Sequence, residues 1–335
     1  MRHAGRTICA VLGDGGWGTA LAIHLYRVGH RVRWWGAFPD YLAELNRRRE
    51  NRKFLPGIPI PRAIQIVPQL ERALEGAHLV ILAIPSQYLR GVVRRLVPSR
   101  ALWKEAVVVS AAKGLERGTL NRMSQVLLEE LGRVRLAALS GPTIASEIAR
   151  GFPASLVAAS TSPGVAQEVQ RWCMSDRLRV YTSRDVIGVE LGGALKNPIA
   201  IASGVCDGLG LGSNAKAALM TRGVVEMSRL GVAMGARAQT FWGLSGLGDL
   251  VTTCFSGRNR WLGEQLGRGQ PLREVLASTP MVIEGVETAR AAVLLAKRSR
   301  VELPIIEQVH AILRGKPPRA ALQALMQRSG KPESH

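Results

Sequence analysis

Apolar positions in the first half of the chain come in short unbroken runs, whereas in the second half they recur at helical spacing. Residues 7–12, 31–35, 64–67, 78–84 and 106–109 predict strands, and residues 136–139, 154–159 and 178–181 extend the set. Residues 78–84 are almost wholly apolar, as expected of a parallel strand covered on both faces. Residues 19–28 follow a helical period that stops at Gly29. A helical stretch bearing Arg47, Arg48 and Arg49 and a proline-rich connection over residues 51–61 come next. From Asp185 the strand pattern ends. Residues 216–230 predict a helix with Met220, Val224 and Met227 on its core face, broken at Gly231 and Gly235. Residues 286–297 and 304–313 predict two more, and Pro317-Pro318 precedes a last short helix.

The first strand runs into Gly13-Asp14-Gly15-Gly16-Trp17-Gly18 and then a helix. Strand, glycine turn and helix are the context in which such glycines bind a dinucleotide: Gly13 for the tight turn, Gly15 for approach of backbone to a pyrophosphate, Gly18 for helix packing. The expected architecture is α/β, with an N-terminal Rossmann-like, doubly wound, mostly parallel sheet followed by an all-α C-terminal domain. The boundaries expected are a dinucleotide-binding domain over residues 1–184, a helical substrate-binding and catalytic domain over 185–327, and a polar tail over 328–335. The second strand, residues 31–35, contains no acid to grip the adenosine ribose of NAD, and its two arginines would suit a 2′-phosphate.

Candidate chemistry gathers after the strands and on one helix. Lys113 follows a central strand, at the sheet edge where ligands bind in such folds. At helical spacing Lys196, Ala200, Ser203 and Asp207 form a small, polar stripe, and Gly192 and Gly193 are expected to leave bare backbone beside Lys196 for a ligand. Residues 243–250 read as a glycine-rich loop around Asp249, and residues 252–260 as a loop of hydroxyl, amide and guanidinium donors suited to a phosphate.

Composition narrows the choices. The chain has 335 residues, 47% of them hydrophobic, with no run near the roughly 18 apolar residues of a membrane span. No secretory leader is apparent at the amino terminus, and four scattered cysteines lack metal or redox spacing, so a cytoplasmic setting without a metal site is expected. The net charge of +20 is dispersed, without a basic tail, which argues against nucleic acid as the main partner and for an anionic small molecule.

Several stretches together resemble the bacterial type of NAD(P)-dependent glycerol-3-phosphate dehydrogenase. They are the segment from Leu12 to Ala22, Phe54-Leu-Pro-Gly-Ile58, Lys113-Gly-Leu-Glu116, Ser140-Gly-Pro-Thr143, Val186 to Asn197, Asp207-Gly-Leu-Gly210, Gly246-Leu-Gly-Asp-Leu250, Arg258-Asn-Arg260 and Glu284-Gly285. The resemblance implies reversible reduction of dihydroxyacetone phosphate to sn-glycerol 3-phosphate by NADPH or NADH, supplying the glycerophospholipid backbone. It makes Lys196 the general acid/base and gives Lys113, Gly141, Thr143, Lys196, Asp249, Arg258 and Asn259 to the substrate. Gly13, Gly15, Gly16, Trp17, Gly18, Lys113, Ala145, Arg258, Val282 and Glu284 would line the cofactor, and a homodimer through the helical domain is expected. Lys196 would need a pKa near 7 or 8, with desolvation, Lys113 and Arg258 lowering it and Asp249 opposing.

The chain departs from the family pattern at Gly16 and Gly257, where serine is common, and at Ala37, where a basic or polar side chain is common. Ser256 is the candidate to replace the hydroxyl lost at Gly257. The other readings are a two-domain 3-hydroxyacid dehydrogenase and a non-catalytic dinucleotide- or nucleic-acid-binding protein.

Overall fold

The computed structural model describes residues 7–330, 332 and 333. The leader expectation therefore lies outside the described residues, as does part of the polar tail. Among the described residues there are ten strands: β1 (Ile8–Leu12), β2 (Arg31–Trp35), β3 (Glu50–Asn51), β4 (Leu55–Pro59), β5 (Gln65–Ile66), β6 (Leu79–Leu82), β7 (Val107–Ser110), β8 (Arg135–Ser140), β9 (Ala154–Ala159) and β10 (Leu178–Ser183). Eight of them form one sheet in the order β10-β9-β8-β7-β6-β1-β2-β5, parallel except where β8 meets β9. β6 and β7 are buried along their whole length, which explains their unbroken apolar composition.

β1 lies between β2 and β6, so strand order reverses beside it. Leu12 is in register with Trp35 on one side and Leu82 on the other, so three strands end together and open a crevice beyond their carboxyl ends. Gly13 turns there with φ +128°, and a Cβ on it would lie 2.3 Å from the Ala83 carbonyl oxygen. Only glycine fits.

β3 and β4 make a separate two-stranded hairpin where the prolines had suggested a plain connection. Its buried Asn51 donates to the Asp14 carbonyl at 2.8 Å and to Thr19 Oγ1 at 2.7 Å, tying the hairpin to the glycine turn. The Phe54 carbonyl comes so close that a Cβ on Gly16 would lie 2.6 Å from it.

The second half is built around the helix Val186–Leu209, buried over most of its length because most of its residues are small or apolar and its buried Glu190, Lys196 and Asn197 have hydrogen-bond partners. The helix Arg258–Gly267 packs against it through glycines on both sides. A Cβ on Gly204 would lie 1.9 Å from the Arg260 carbonyl oxygen, and one on Gly263 1.9 Å from that of Ile201. Three expectations for this half need correction. The helix Gly212–Ala233 runs through Gly231 instead of breaking there, since Gly231 makes room for the Phe241 ring. Residues 244–248 form a π-helical turn and Asp249–Phe255 an α-helix, so neither stretch is an irregular loop. Thr252 and Thr253 turn their hydroxyls back onto the carbonyls of Gly248 and Asp249, which removes them from the supply of phosphate donors.

The halves are clamped together. Leu115 and Leu120, just past β7, join the apolar core of the helical half. Buried Glu190 accepts from Arg122 Nη1 at 2.6 Å, from the Ser124 amide at 2.7 Å and from Ser124 Oγ at 2.6 Å. Glu284 accepts from both the backbone amide and the hydroxyl of Ser86 at the end of the β6 segment.

Candidate active site

Asp249 opens its helix at the end of the π-helical turn and is almost wholly buried. Its Oδ1 accepts from Lys196 Nζ at 2.5 Å and its Oδ2 from Lys113 Nζ at 2.7 Å. Lys113 also donates to the Gly141 carbonyl and to Thr143 Oγ1, each at 2.8 Å, so all three of its N–H bonds are taken. Lys196 donates to Thr253 Oγ1 at 2.7 Å besides Asp249, and as an ammonium it keeps one N–H for another oxygen. The fold thus brings Lys113, Gly141, Thr143, Lys196 and Asp249 into one cluster.

Burial lowers the Lys196 pKa to about 8, Lys113 adding to the effect and Asp249 opposing it. Arg258, expected to help, is not among the causes, since its guanidinium faces Val282 and Glu284. The bare floor expected beside Lys196 is also absent. A Cβ on Gly192 would lie 2.6 Å from the Ser245 carbonyl oxygen and one on Gly193 2.6 Å from Ser140 Oγ. These glycines admit other segments of the protein, which is how Asp249 and Lys113 reach the lysine.

Arg258 and Asn259 begin the ten-residue helix Arg258–Gly267, whose N-cap Gly257 has φ +95° and no capping side chain. Ser256 does not substitute, because its hydroxyl donates to the Thr252 carbonyl at 2.9 Å. Arg258 Nη1 donates to the Val282 carbonyl at 2.9 Å. Burial among its neighbours lowers its pKa, Glu284 opposing, although the residue as a whole is exposed. Asn259 donates to Asn197 Oδ1 at 2.9 Å and accepts from the Gly285 amide at 3.0 Å. Asn197 in turn donates to the Lys113 carbonyl at 2.9 Å, linking the two ends of the cleft. Sequence reasoning had Asn197 only as the end of the Lys196 stretch and Thr253 only as one hydroxyl of the donor loop, and gave neither a role beside Lys196. Their only signals were adjacency to Lys196 and a place one turn beyond Asp249.

The residues at the glycine turn fit a dinucleotide. Gly15 faces open space, where a Cβ would meet nothing within 4 Å, while Gly16 and Gly18 are closed by backbone. The helix Gly16–Val28 has no side-chain cap, so its first N–H groups are free for a pyrophosphate. The indole N–H of Trp17 is buried without a partner, a donor in need of an acceptor. Ala145 lies beside the turn, its Cβ 3.9 Å from where one on Gly16 would be. Glu284 sits at the far wall, held by Ser86, with burial raising its pKa.

The arginines of β2 lie elsewhere. Arg33 donates to the carbonyls of Arg72 and Glu75, and with Arg31, Arg49, Arg62 and Arg72 it lines a separate cavity of about 430 Å³. They stand at the start and middle of β2, not at its carboxyl end, so the expected role for them at a 2′-phosphate is withdrawn.

Comparison with known proteins matches both halves of the chain. The family described as NAD-dependent glycerol-3-phosphate dehydrogenase N-terminus matches residues 8–166, and its C-terminus counterpart matches residues 185–323. The glycerol-3-phosphate dehydrogenase [NAD(P)+] of Thioalkalivibrio sulfidiphilus is 48% identical over 97% of this chain and 98% of its own. That of Moorella thermoacetica is 49% identical over 97% and 96%. The crystal structure of glycerol-3-phosphate dehydrogenase from Coxiella burnetii superposes with a TM-score of 0.91 at 38% identity, covering 96% of this chain and 99% of that one. The chain belongs to the NAD-dependent glycerol-3-phosphate dehydrogenase family.

Proposed function

We propose that the protein reduces dihydroxyacetone phosphate to sn-glycerol 3-phosphate, reversibly, with NADH or NADPH, and so supplies the glycerophospholipid backbone. The observation that carries this reading is the sharing of one buried carboxylate, Asp249, by two lysines, of which Lys196 has a pKa of about 8. When bound, the nicotinamide supplies or takes up the hydride. The protein has to manage the proton.

As an ammonium, Lys196 offers its unused N–H to the substrate oxygen, stabilises the developing alkoxide and then protonates it. As an amine it takes the hydroxyl proton in the opposite direction. Asp249 fixes its position and keeps its pKa from falling further, while Lys113 holds the other carboxylate oxygen. The uncapped helix start at Gly257, with Arg258 and Asn259, is assigned to the phosphate, since free N–H groups and a guanidinium suit its oxygens. Gly141 and Thr143 orient Lys113. Residues 1–184 are assigned to the dinucleotide and 185–327 to substrate and catalysis.

A homodimer in the cytoplasm completes the reading, and the four free cysteines suit a reducing compartment. Among the described residues no helix is long and apolar enough to cross a membrane. The deciding experiment follows NADH or NADPH oxidation by absorbance with dihydroxyacetone phosphate and with dihydroxyacetone. Turnover confined to the phosphorylated ketone supports the proposal, and no turnover with either ketone and either cofactor overturns it.

A further inference from the structure

The sequence lacks an acid at the end of β2, yet the fold puts one there. Asp14 leaves the glycine turn with its carboxylate against Gly36, the residue that follows β2. A Cβ on Gly36 would lie 2.4 Å from Asp14 Oδ2 and 2.7 Å from its Cγ. Asp14 Oδ2 is buried and has no hydrogen-bond partner, so the site holds an acceptor in need of a donor. Its backbone is pinned. Fully buried Asn51 donates to the Asp14 carbonyl at 2.8 Å, and Tyr41 donates to Asn51 Oδ1 at 2.5 Å.

In folds of this kind the acid that grips the ribose hydroxyls stands at the end of the second strand, and a basic side chain nearby accommodates a 2′-phosphate. Here the neutral Ala37 follows Gly36, and Arg33 is occupied by the carbonyls of Arg72 and Glu75. Lys53 is the nearby cation. It sits 5.0 Å from the Phe54 ring centroid and 5.8 Å from that of Tyr41, and it attracts the Asp14 carboxylate. The backbone amides of Ala37 and Phe38 already face the carboxylate, which leaves Oδ2 as the oxygen without a donor. A dianionic phosphate entering this corner would meet a desolvated carboxylate of like charge, whereas a ribose hydroxyl would supply Oδ2 with a donor.

We propose that Asp14 takes the place of the missing strand-end acid, accepting from an adenosine ribose hydroxyl and repelling a 2′-phosphate, so that this chain prefers NADH to NADPH. The inference rests on the dinucleotide reading of the glycine turn and narrows it. No role for Asp14 follows from the resemblance, in which the cofactor positions flank it.

The test measures dissociation constants for NADH and NADPH without substrate, by quenching of intrinsic tryptophan fluorescence, on the full chain and on Asp14→Asn and Asp14→Ala. The unaltered protein is expected to bind NADH at least about tenfold more tightly than NADPH. Asp14→Asn keeps the shape, removes the charge and is expected to bring the ratio below about threefold, chiefly by tightening NADPH. Equal affinities in the unaltered protein would overturn the proposal and leave the corner to Lys53. A ratio unmoved in both variants would overturn it too. The first comparison needs no variant to fold. Selective binding of NADH without turnover of dihydroxyacetone phosphate would sink the proposed reaction and leave the role of Asp14 standing.

Discussion

Lys196 and Asp249 meet at 2.5 Å in a site where the carboxylate is almost wholly buried, and the carboxylate's second oxygen is already held by Lys113. The ammonium of Lys196 is therefore not balanced by a negative charge of its own. One carboxylate serves two cations, so burial prevails and the lysine titrates far closer to neutrality than it would in water.

Replacement of Lys196 by methionine separates chemistry from structure. Below pH 8 the buried ammonium costs the fold about 3 kcal/mol, and Lys113 remains to hold Asp249 in the variant. Lys196→Met is expected to lose at least about 10³-fold in kcat with NADH affinity unchanged and no drop in Tm. Steady-state kinetics beside calorimetry checks this. Turnover above a tenth of the unaltered rate would remove Lys196 from the acid/base role.

The pH profile follows from the same group. Its pKa is lowered on folding, so between about 8 and its ordinary value of 10.5 the folded chain carries the neutral amine where the unfolded chain would be charged. Oxidation of glycerol 3-phosphate needs the amine, and its kcat/KM is expected to rise with a midpoint near pH 8. Reduction of the ketone needs the ammonium and should fall through the same midpoint. Both profiles can be measured from pH 7 to 10. Matching slopes of the same sign would exclude a single proton carrier.

Asp249→Asn removes the charge that holds the lysine's pKa up. The midpoint of glycerol 3-phosphate oxidation is expected to move to lower pH, with kcat reduced by about 10²-fold as Lys113 loses its ionic partner. A purely structural aspartate would lower activity without moving the midpoint, so the shift is the reading that matters.

The doubly wound sheet was legible because its strands alternate with helices and because β6 and β7, covered on both faces, read as uninterrupted apolar runs. The lysine and carboxylate were legible as candidates through their family stretches. Their mutual geometry was not, since Lys113, Lys196 and Asp249 come from three distant segments and meet where the Ser245 backbone closes on Gly192 and the Ser140 and Lys113 side chains close on Gly193. The π-helical turn and the helix after it were hidden for a local reason. Glycine and threonine suggest loops by propensity, while tertiary packing and hydroxyl back-bonding make these helical. The hairpin of β3 and β4 escaped notice because Pro56 and Pro59 mark turns in sequence yet are tolerated on an exposed two-stranded edge.

Gly263→Ala tests the packing that presents Arg258 and Asn259. The new methyl would sit 1.9 Å from the Ile201 carbonyl oxygen, a backbone atom that cannot rotate away. The helix must move, and a loss of about 2 kcal/mol in stability is expected. KM for the phosphorylated ketone should rise more than that for NADH, since the displaced helix start is the phosphate side of the cleft. An unchanged KM together with an unchanged Tm would mean that the two helices are not held at this distance.

Glu226 provides a test remote from the active site. It lies on the helix Gly212–Ala233 and accepts from the amides of Ile305 at 2.7 Å and Ile306 at 3.2 Å, at the start of the helix Pro304–Leu313. A helix start favours a carboxylate, but burial prevails and raises the Glu226 pKa to about 7. A raised acid pKa means that the folded chain holds a proton that the unfolded chain releases above pH 4.5. The stability it confers is full below that pH and is lost as pH rises through 7, with an amplitude of about 3 kcal/mol. Glu226→Gln cannot titrate, and its single carbonyl oxygen serves the two amides less well than the carboxyl group does. At pH 5 the variant should be less stable than the unaltered protein by about 1 kcal/mol, and at pH 8 the gap should close or reverse. Urea midpoints at the two pH values decide it, because every other titrating group acts equally on both proteins and cancels in the difference. A gap that is the same at pH 5 and pH 8 would mean that Glu226 is ionised throughout and that the helix start, not burial, governs it.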